Sequence, residues 1–418
     1  MRTKPAIIRI GAALAMLCAA AAAQARENAV CPAPDAKAAE PYRWYPRLDL
    51  ARIPFHSAAG AWGPRAAIVA PEPPVTTRSV RVTSAAQLAA EARRPGTLIT
   101  VAAQFIGPVT ILDDVRDVDI VVPPGHRVAQ LTVGRYAPPS RTERVRIRGT
   151  TPGAHSGGVV GVIRFASTLQ VSDVIVDGLD LNGDDGRGGH YLWQFARGAQ
   201  RVAIVNNRGH SATAGSLDQR GGSDIVIAGN LLLTGGRSRE EAAVPEGWGI
   251  RAGGRIVIYG NRIEGPRYHR VRLHPQEGVS PLYAWVADNV FVDRHEARIL
   301  WVQNTPGHTA RYNGVWASCN QVYAHSTCIT PSFEAAHADY ARLTSNRFFG
   351  SITEALQRGQ QAAHGAGHDY LSGNTFSAWQ SPPPWPAPGD PANVALPAGD
   401  AGPRSAAPSS MPPCPPPG

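Results

Sequence analysis

Residues 256–263 read IVIYGNRI: an aliphatic run, a Gly-Asn break, then an apolar residue again at Ile263. In an extended chain Ile256 and Ile258 fall on one side, and Gly-Asn supplies a tight bend. The motif recurs as IVIAGNLL (225–232), WVADNVF (285–291), VWASCNQV (315–322), RLTSNRFF (342–349) and YLSGNTF (370–376). Looser forms are VRIRGT (145–150), IVDGLDL (175–181) and AIVNNRG (203–209). The Asn slot holds Thr150, Leu179, Asn207, Asn230, Asn261, Asn289, Asn320, Asn346 and Asn374, at spacings of 23 to 31 residues. Such a period, built of short strands and turns without sustained helical periodicity, predicts a solenoid. Three short strands per coil make it an all-β fold, a right-handed parallel β-helix of about nine coils. A leucine-rich repeat would need a regular Leu pattern, and a propeller a longer period with antiparallel hairpins. Asn suits the slot because it tolerates a left-handed bend and because stacked side-chain amides can bond from coil to coil.

A solenoid has to cover its open ends. VTSAAQLAAEARRPGTLITV (82–101) predicts an N-terminal capping helix. Ser84 is its N-cap with Gln87 three residues on; it runs to about Arg94 and stops at Pro95-Gly96. The β-helix domain is expected over 78–378. An extended Pro/Ala-rich lead-in with the aromatic patch PYRWYPRLDL precedes it over 26–77, and a Pro-rich tail follows over 379–418. The tail's composition cannot bury a core and predicts disorder.

Arg2, Lys4 and Arg9, a short apolar stretch and Ala23-Gln24-Ala25 predict a signal peptide over 1–25 and a mature start at Arg26. The stretch is too short for a membrane span, and none is expected later. The chain is therefore expected to be a periplasmic or extracellular monomer. Its net charge of +9 falls to +6 once those three leader residues are removed. Lys37 is the only lysine left, so no catalytic lysine exists beyond it. A basic exported protein is matched to an acidic polysaccharide, and no nucleic acid is expected as a partner. Cys31, Cys319, Cys328 and Cys414 survive cleavage. An even number in an exported chain predicts disulfides, Cys319 with Cys328 locally and Cys31 with Cys414 across the ends. No Cys/His spacing points to zinc.

The capping helix leading into TLITVAAQFIGPVTI (97–111), followed by the coils with their Asn ladder, resembles the pectate-lyase-like superfamily of parallel β-helix proteins over residues 78–378. The resemblance implies the fold. It leaves open whether the protein is a polysaccharide lyase, a glycoside hydrolase or a non-catalytic surface protein. Hydrolases of the polygalacturonase type carry N-x-D, D-D, G-H-G and R-I-K. This chain has Asp184-Asp185 and Gly209-His210, but lacks the first motif, the Gly after His210 and the final lysine. Lyases whose base is lysine are excluded by composition; an arginine or histidine base remains open. Asp184-Asp185 reads as a turn, and calcium is the one cofactor it would admit.

YHRVRLHPQEG (268–278) sets Arg270, Arg272 and His274 at alternate positions, which puts them on one face of a strand. Neighbouring coils contribute YLWQF (191–195), SLDQR (216–220), WGIRA (248–252) and RILWVQ (298–303). Aligning Leu217, Ile250 and Leu273 as inward residues gives an outward column of Asp218, Arg251 and His274. Arg220, Arg270, Arg272, Trp301 and Gln303 flank it, and Tyr268, Trp248 and Trp301 edge it. Such a groove suits β-elimination on a uronate polymer, which needs a neutralised carboxylate, a base for the acidified C5 proton and a donor to the departing O4. Arg251 and Arg272 are assigned to the carboxylate, because a planar guanidinium matches it. His274 is the base, held toward its neutral form by cationic neighbours. His269 or Tyr268 is the donor. The alternatives are a hydrolase using Asp218 with Glu246 or Asp184 with Asp185, and a non-catalytic binding scaffold.

Overall fold

The computed structural model describes residue 69 and residues 71–377, apart from 136, 167–169, 183–192, 196–197, 211–216, 220–221, 234–247, 265–268, 276–281, 297, 303–308, 326–332, 336, 340, 345, 351–355, 358–369 and 373. Cys31, Cys328 and Cys414 lie outside these residues, and with them one or both partners of each expected disulfide. The leader, most of the lead-in and the tail lie outside them too.

Every registered strand pair is parallel, as an all-β parallel β-helix requires. One sheet of 12 strands follows chain order, from Arg78–Val82 through Ile256–Tyr259 to Tyr370–Ser372. Two further ladders diverge at Arg127–Val133, whose first residues pair with Val159–Val160 and whose last pair with Ile163–Phe165. One ladder carries the short strands that follow each Asn slot. The other carries Trp193–Phe195, Leu217–Gln219, Trp248–Gly253, His269–His274, Arg298–Val302 and Phe333–Glu334. Alternation sends Val174, Val176, Ile225, Ile227, Ile256 and Ile258 into a continuous interior core. Each such side chain is worth roughly 1.5–3 kcal/mol, so stability is spread along the solenoid.

The Asn slots form an unbroken buried ladder. Asn207, Asn230, Asn261, Asn289, Asn320 and Asn346 each donate Nδ2 to the Oδ1 of the next slot's Asn, at 2.9–3.1 Å. The ladder ends at Asn374 on one side. On the other, the Leu179 N–H reaches Asn207 Oδ1 at 3.0 Å. The left-handed residue is the one before the slot, not the Asn expected to adopt it: Gly178, Asn206, Gly229, Gly260, Asp288 and Cys319 all have φ between 55° and 71°. Asn is selected by its amide, and its predecessor by the bend.

The capping helix spans Ala85–Ala92, ending a residue or two before its expected limit, with Arg93 as C-cap. Ser84 Oγ accepts from the Gln87 N–H at 3.2 Å, and Gln87 Oε1 accepts from the Thr83 N–H at 2.8 Å. Leu88 and Ala92 are fully buried over the first coils.

A second ladder runs along the turn that enters the 12-stranded sheet, and sequence reading missed it. Asp117, Arg144, Asp173, Arg201, Asp224 and Arg255 occupy successive coils. Arg144 pairs with Asp117 at 2.7 Å, Arg201 with Asp173 at 2.5 Å and Arg255 with Asp224 at 2.6 Å. The aspartates also hold the Pro-rich strand of the lead-in: the N–H groups of Val69, Glu72 and Val75 donate to Asp224, Asp173 and Asp117 at 3.1, 3.1 and 3.2 Å. Three residues of polyproline helix advance roughly 9.3 Å, and two coils advance roughly 9.6 Å. The strap therefore keeps step with every second coil. Asp173→Ala strands the Arg201 guanidinium and frees the Glu72 amide. It is expected to cost about 2–4 kcal/mol in urea unfolding and to speed hydrogen exchange at Glu72.

Asp177 sits on the outer face of this sheet, 1% exposed. Burial pushes its pKa up to about 6, against the Gly153 N–H and Asn206 amide that bond it and the nearby Arg146 and Arg148. The native state therefore holds a proton that the unfolded chain releases near pH 4. Stability from this group is full below that pH and is lost as pH rises through about 6. Asp177→Asn is expected to remove on the order of 3 kcal/mol of pH dependence between pH 4 and 7.5, read as denaturation midpoints across that range.

Candidate functional site

The basic strand lies in the ladder that carries Trp248–Gly253, with its register fixed on both sides. Ile250, Val271, Leu300 and Phe333 form the inward column. One residue on, the next row in register reads Arg164, Gln194, Asp218, Arg251, Arg272, Trp301, Glu334 and Gln357, of which Arg164, Arg272, Trp301 and Glu334 lie outside the core. Coils stack about 4.8 Å apart, so these positions make one row along the solenoid.

This register differs by two residues from the alignment expected of the sequence. Arg251 pairs with Arg272, and His274 pairs with Gly253. A slip of two preserves the side of every residue, so alternation in RVRLH cannot choose between Val271 and Leu273 as the partner of Ile250. His274 keeps its outward face, with Val271 and Leu273 fully buried on the other. It stands two residues along from Arg272, roughly 6.6 Å, and its neighbour Gly253 presents no side chain. His274 therefore stands beside the arginines, next to a buried glycine.

The Arg272 guanidinium carbon lies 4.5 Å from the Trp301 ring centroid. The indole faces a cation from the adjacent coil, an interaction worth roughly 0.5–2 kcal/mol. Arg272 Nε, His274 Nε2, Trp301 Nε1 and Glu334 Oε2 are all shielded from solvent, although none of the four side chains is in the core. Three further coils separate Arg272 from the exposed Arg164.

Asp218 and Arg251 are placed by register alone, adjacent in the row. Arg270 precedes Val271 on the same strand as Arg272. Trp248, His269 and Arg298 share a position two residues before the inward column, so alternation sets His269 apart from the Arg251–Arg272–Trp301 row. Tyr268, Arg220, Gln303, Glu246, Asp184 and Asp185 lie outside the described residues. Arg164 and Glu334 were missed. Their signal was available in VIRFA (162–166) and SFEA (332–335), where an apolar residue precedes and follows each, as in the neighbouring coils.

Among the described residues no three metal-ligating side chains converge, and no helix is long and apolar enough to cross a membrane. No family model matches the sequence, and no curated protein matches it.

Proposed function

We propose that this is an exported protein that binds an acidic, uronate-containing polysaccharide along the Arg251–Arg272–Trp301 row and cleaves it by β-elimination. The observation that carries this reading is the Arg272 guanidinium over the Trp301 ring, one coil from Arg251, on the strand of the outward His274. Two adjacent guanidiniums neutralise a carboxylate, which acidifies the C5 proton. His274 takes that proton, the electron pair forms the C4–C5 double bond, and O4 departs with a proton from the donor. The donor is assigned to Tyr268, which precedes the strand. Trp301 offers the face that Arg272 leaves open to a sugar ring.

Hydrolysis needs two carboxylates about 5–9.5 Å apart. The two acidic positions in the row, Asp218 and Glu334, are four coils apart, roughly 19 Å at the strand spacing. That separation favours elimination. In the same reading the leader is removed at Ala25, the chain is periplasmic or extracellular, and Cys319 pairs with Cys328, where non-reducing peptide mapping should find a linked pair.

The test is incubation of the mature protein with alginate, polygalacturonate, glycosaminoglycans and bacterial exopolysaccharides, with and without chelator. Ultraviolet absorbance from new unsaturated uronate ends is expected on at least one acidic glycan. Reducing ends without that absorbance would make it a hydrolase, and binding without cleavage a scaffold.

A further inference from the structure

The outer face of the 12-stranded sheet ought to be wet, since the core lies on its other side. It is not. Ile175, Ala203, Val226, Val257, Trp285 and Trp316 form one outward column over six successive strands. All are 5% exposed or less, and none belongs to the interior cluster. Tyr259, Trp285 and Trp316 pack ring against ring along it, with centroids 5.9 and 5.7 Å apart. Stacking within a column shields a ring's faces from its neighbours in the row. It cannot take an outward valine such as Val257 to 1%. A cover lies across this face.

We infer that the cover is the lead-in, residues 26–68, docked on this sheet as an intramolecular partner. The strap fixes where that segment starts and which way it runs. From Val75 back to Val69 the chain climbs from the coil of Asp117 to the coil of Asp224, three residues for every two coils. Val69 is thus delivered to the edge of the sheet at the coil of Val226. There the carboxylates stop: the ladder continues with Arg255, already bonded to Asp224, and then Tyr283. On the strand of Tyr283, two coils past Val226, the outward column changes from Ile, Ala and Val to Trp285 and then Trp316. Past Val226 the turn no longer holds the chain, and the sheet face offers aromatic surface instead. Trp316 is three coils further, roughly 14 Å, which five residues of extended chain span at roughly 3.1 Å each. The 43 residues from 26 to 68 exceed that need, and Trp44, Tyr45, Leu48, Leu50, Phe55 and Trp62 supply apolar side chains.

The experiment is hydrogen exchange with peptide-level mass spectrometry on the mature full-length chain, alone and as Trp285→Ala and Trp316→Ala, with Trp301→Ala as a control on the other ladder. Within 40–68, a stretch of amides is expected to exchange at least ~10-fold slower than an unstructured chain and to lose that protection in Trp285→Ala and Trp316→Ala but not in Trp301→Ala. Unprotected amides throughout 26–68 of the wild-type chain would overturn the inference without recourse to any variant. So would protection that survives both sheet variants, protection appearing in 379–418 instead, or protection that grows with protein concentration as a second copy associates.

Discussion

His274→Ala is expected to lower the rate of unsaturated-end release by about 10²–10⁴-fold, the range that a positioned general base contributes, while the unfolding transition stays in place. The separation of the two effects follows from where the residue stands. Val271 and Leu273 of the same strand are fully buried and carry the packing. His274 points away from them, beside a glycine, at the end of the strand. Arg272→Ala should act differently. It removes the charged hydrogen-bonding partner proposed for the substrate carboxylate, worth about 1.5–3 kcal/mol, and the cation above Trp301. KM should rise and kcat fall together, and the residual binding should lose part of its salt dependence. Arg272→Lys should restore the charge but not the planar, forked donor set, and so recover only part of the loss. Undiminished turnover in His274→Ala would remove the base from the mechanism; undiminished binding in Arg272→Ala would move the polymer to another face.

The contrast between fold and site lies in what each required from the sequence. The coil repeat was legible because Asn in one slot has a local cause, a buried amide bonding its neighbours, and local causes repeat visibly. The bend was read one residue too late, since Gly, Asn, Asp and Cys all serve before the slot and no single letter marks it. The Asp/Arg ladder was hidden for the opposite reason. Asp117, Arg144, Asp173, Arg201, Asp224 and Arg255 alternate in sign between coils, so no repeat of one residue type reveals them. Their pairing emerges only once Val118, Val145, Val174 and Val202 are in register. The basic row was legible as a face and misread as a register. Hydrophobic alternation defines which side a residue takes and leaves a two-residue slip undecided. That slip exchanged His274 for Arg272 as the partner of Arg251, turning a proposed arginine–histidine pair into an arginine–arginine pair with the histidine alongside. For the uronate recognition proposed above, a register that sets Arg251 beside Arg272 suits a carboxylate and leaves the imidazole for the proton.

Asn261→Ala is expected to be strongly destabilising, as a change in the dry middle of the solenoid's ladder, and the comparison with Asn374→Ala makes the reason testable. Asn261 Nδ2 donates to Ile227 O at 2.8 Å and Asn289 Oδ1 at 3.0 Å, and its Oδ1 accepts from the Asn230 N–H at 3.0 Å and Asn230 Nδ2 at 2.9 Å. Its neighbours in the ladder are as buried as it is, at 1% exposure or less. Alanine strands the Ile227 carbonyl and the Asn230 N–H where water cannot replace the lost partner. Each buried orphan costs about 1–3 kcal/mol, which gives roughly 3–5 kcal/mol for the substitution, a large fraction of the 5–15 kcal/mol typical of a folded domain. Asn374 makes one bond fewer and is itself part-exposed at the ladder's end, so water can enter where its side chain is removed; about 1 kcal/mol is expected there. Asn261→Asp keeps the acceptor, loses both donors and buries a carboxylate against the Ile227 carbonyl. It should be worse than alanine at pH 7.5 and recover as the pH falls, because protonation restores a donor and removes the charge. Equal losses for Asn261→Ala and Asn374→Ala in urea unfolding would mean that the ladder amides act as independent turn residues. A gradient falling toward the end means that coil-to-coil bonding in a dry stack holds the coils in register, and with them the row of arginines on the neighbouring ladder.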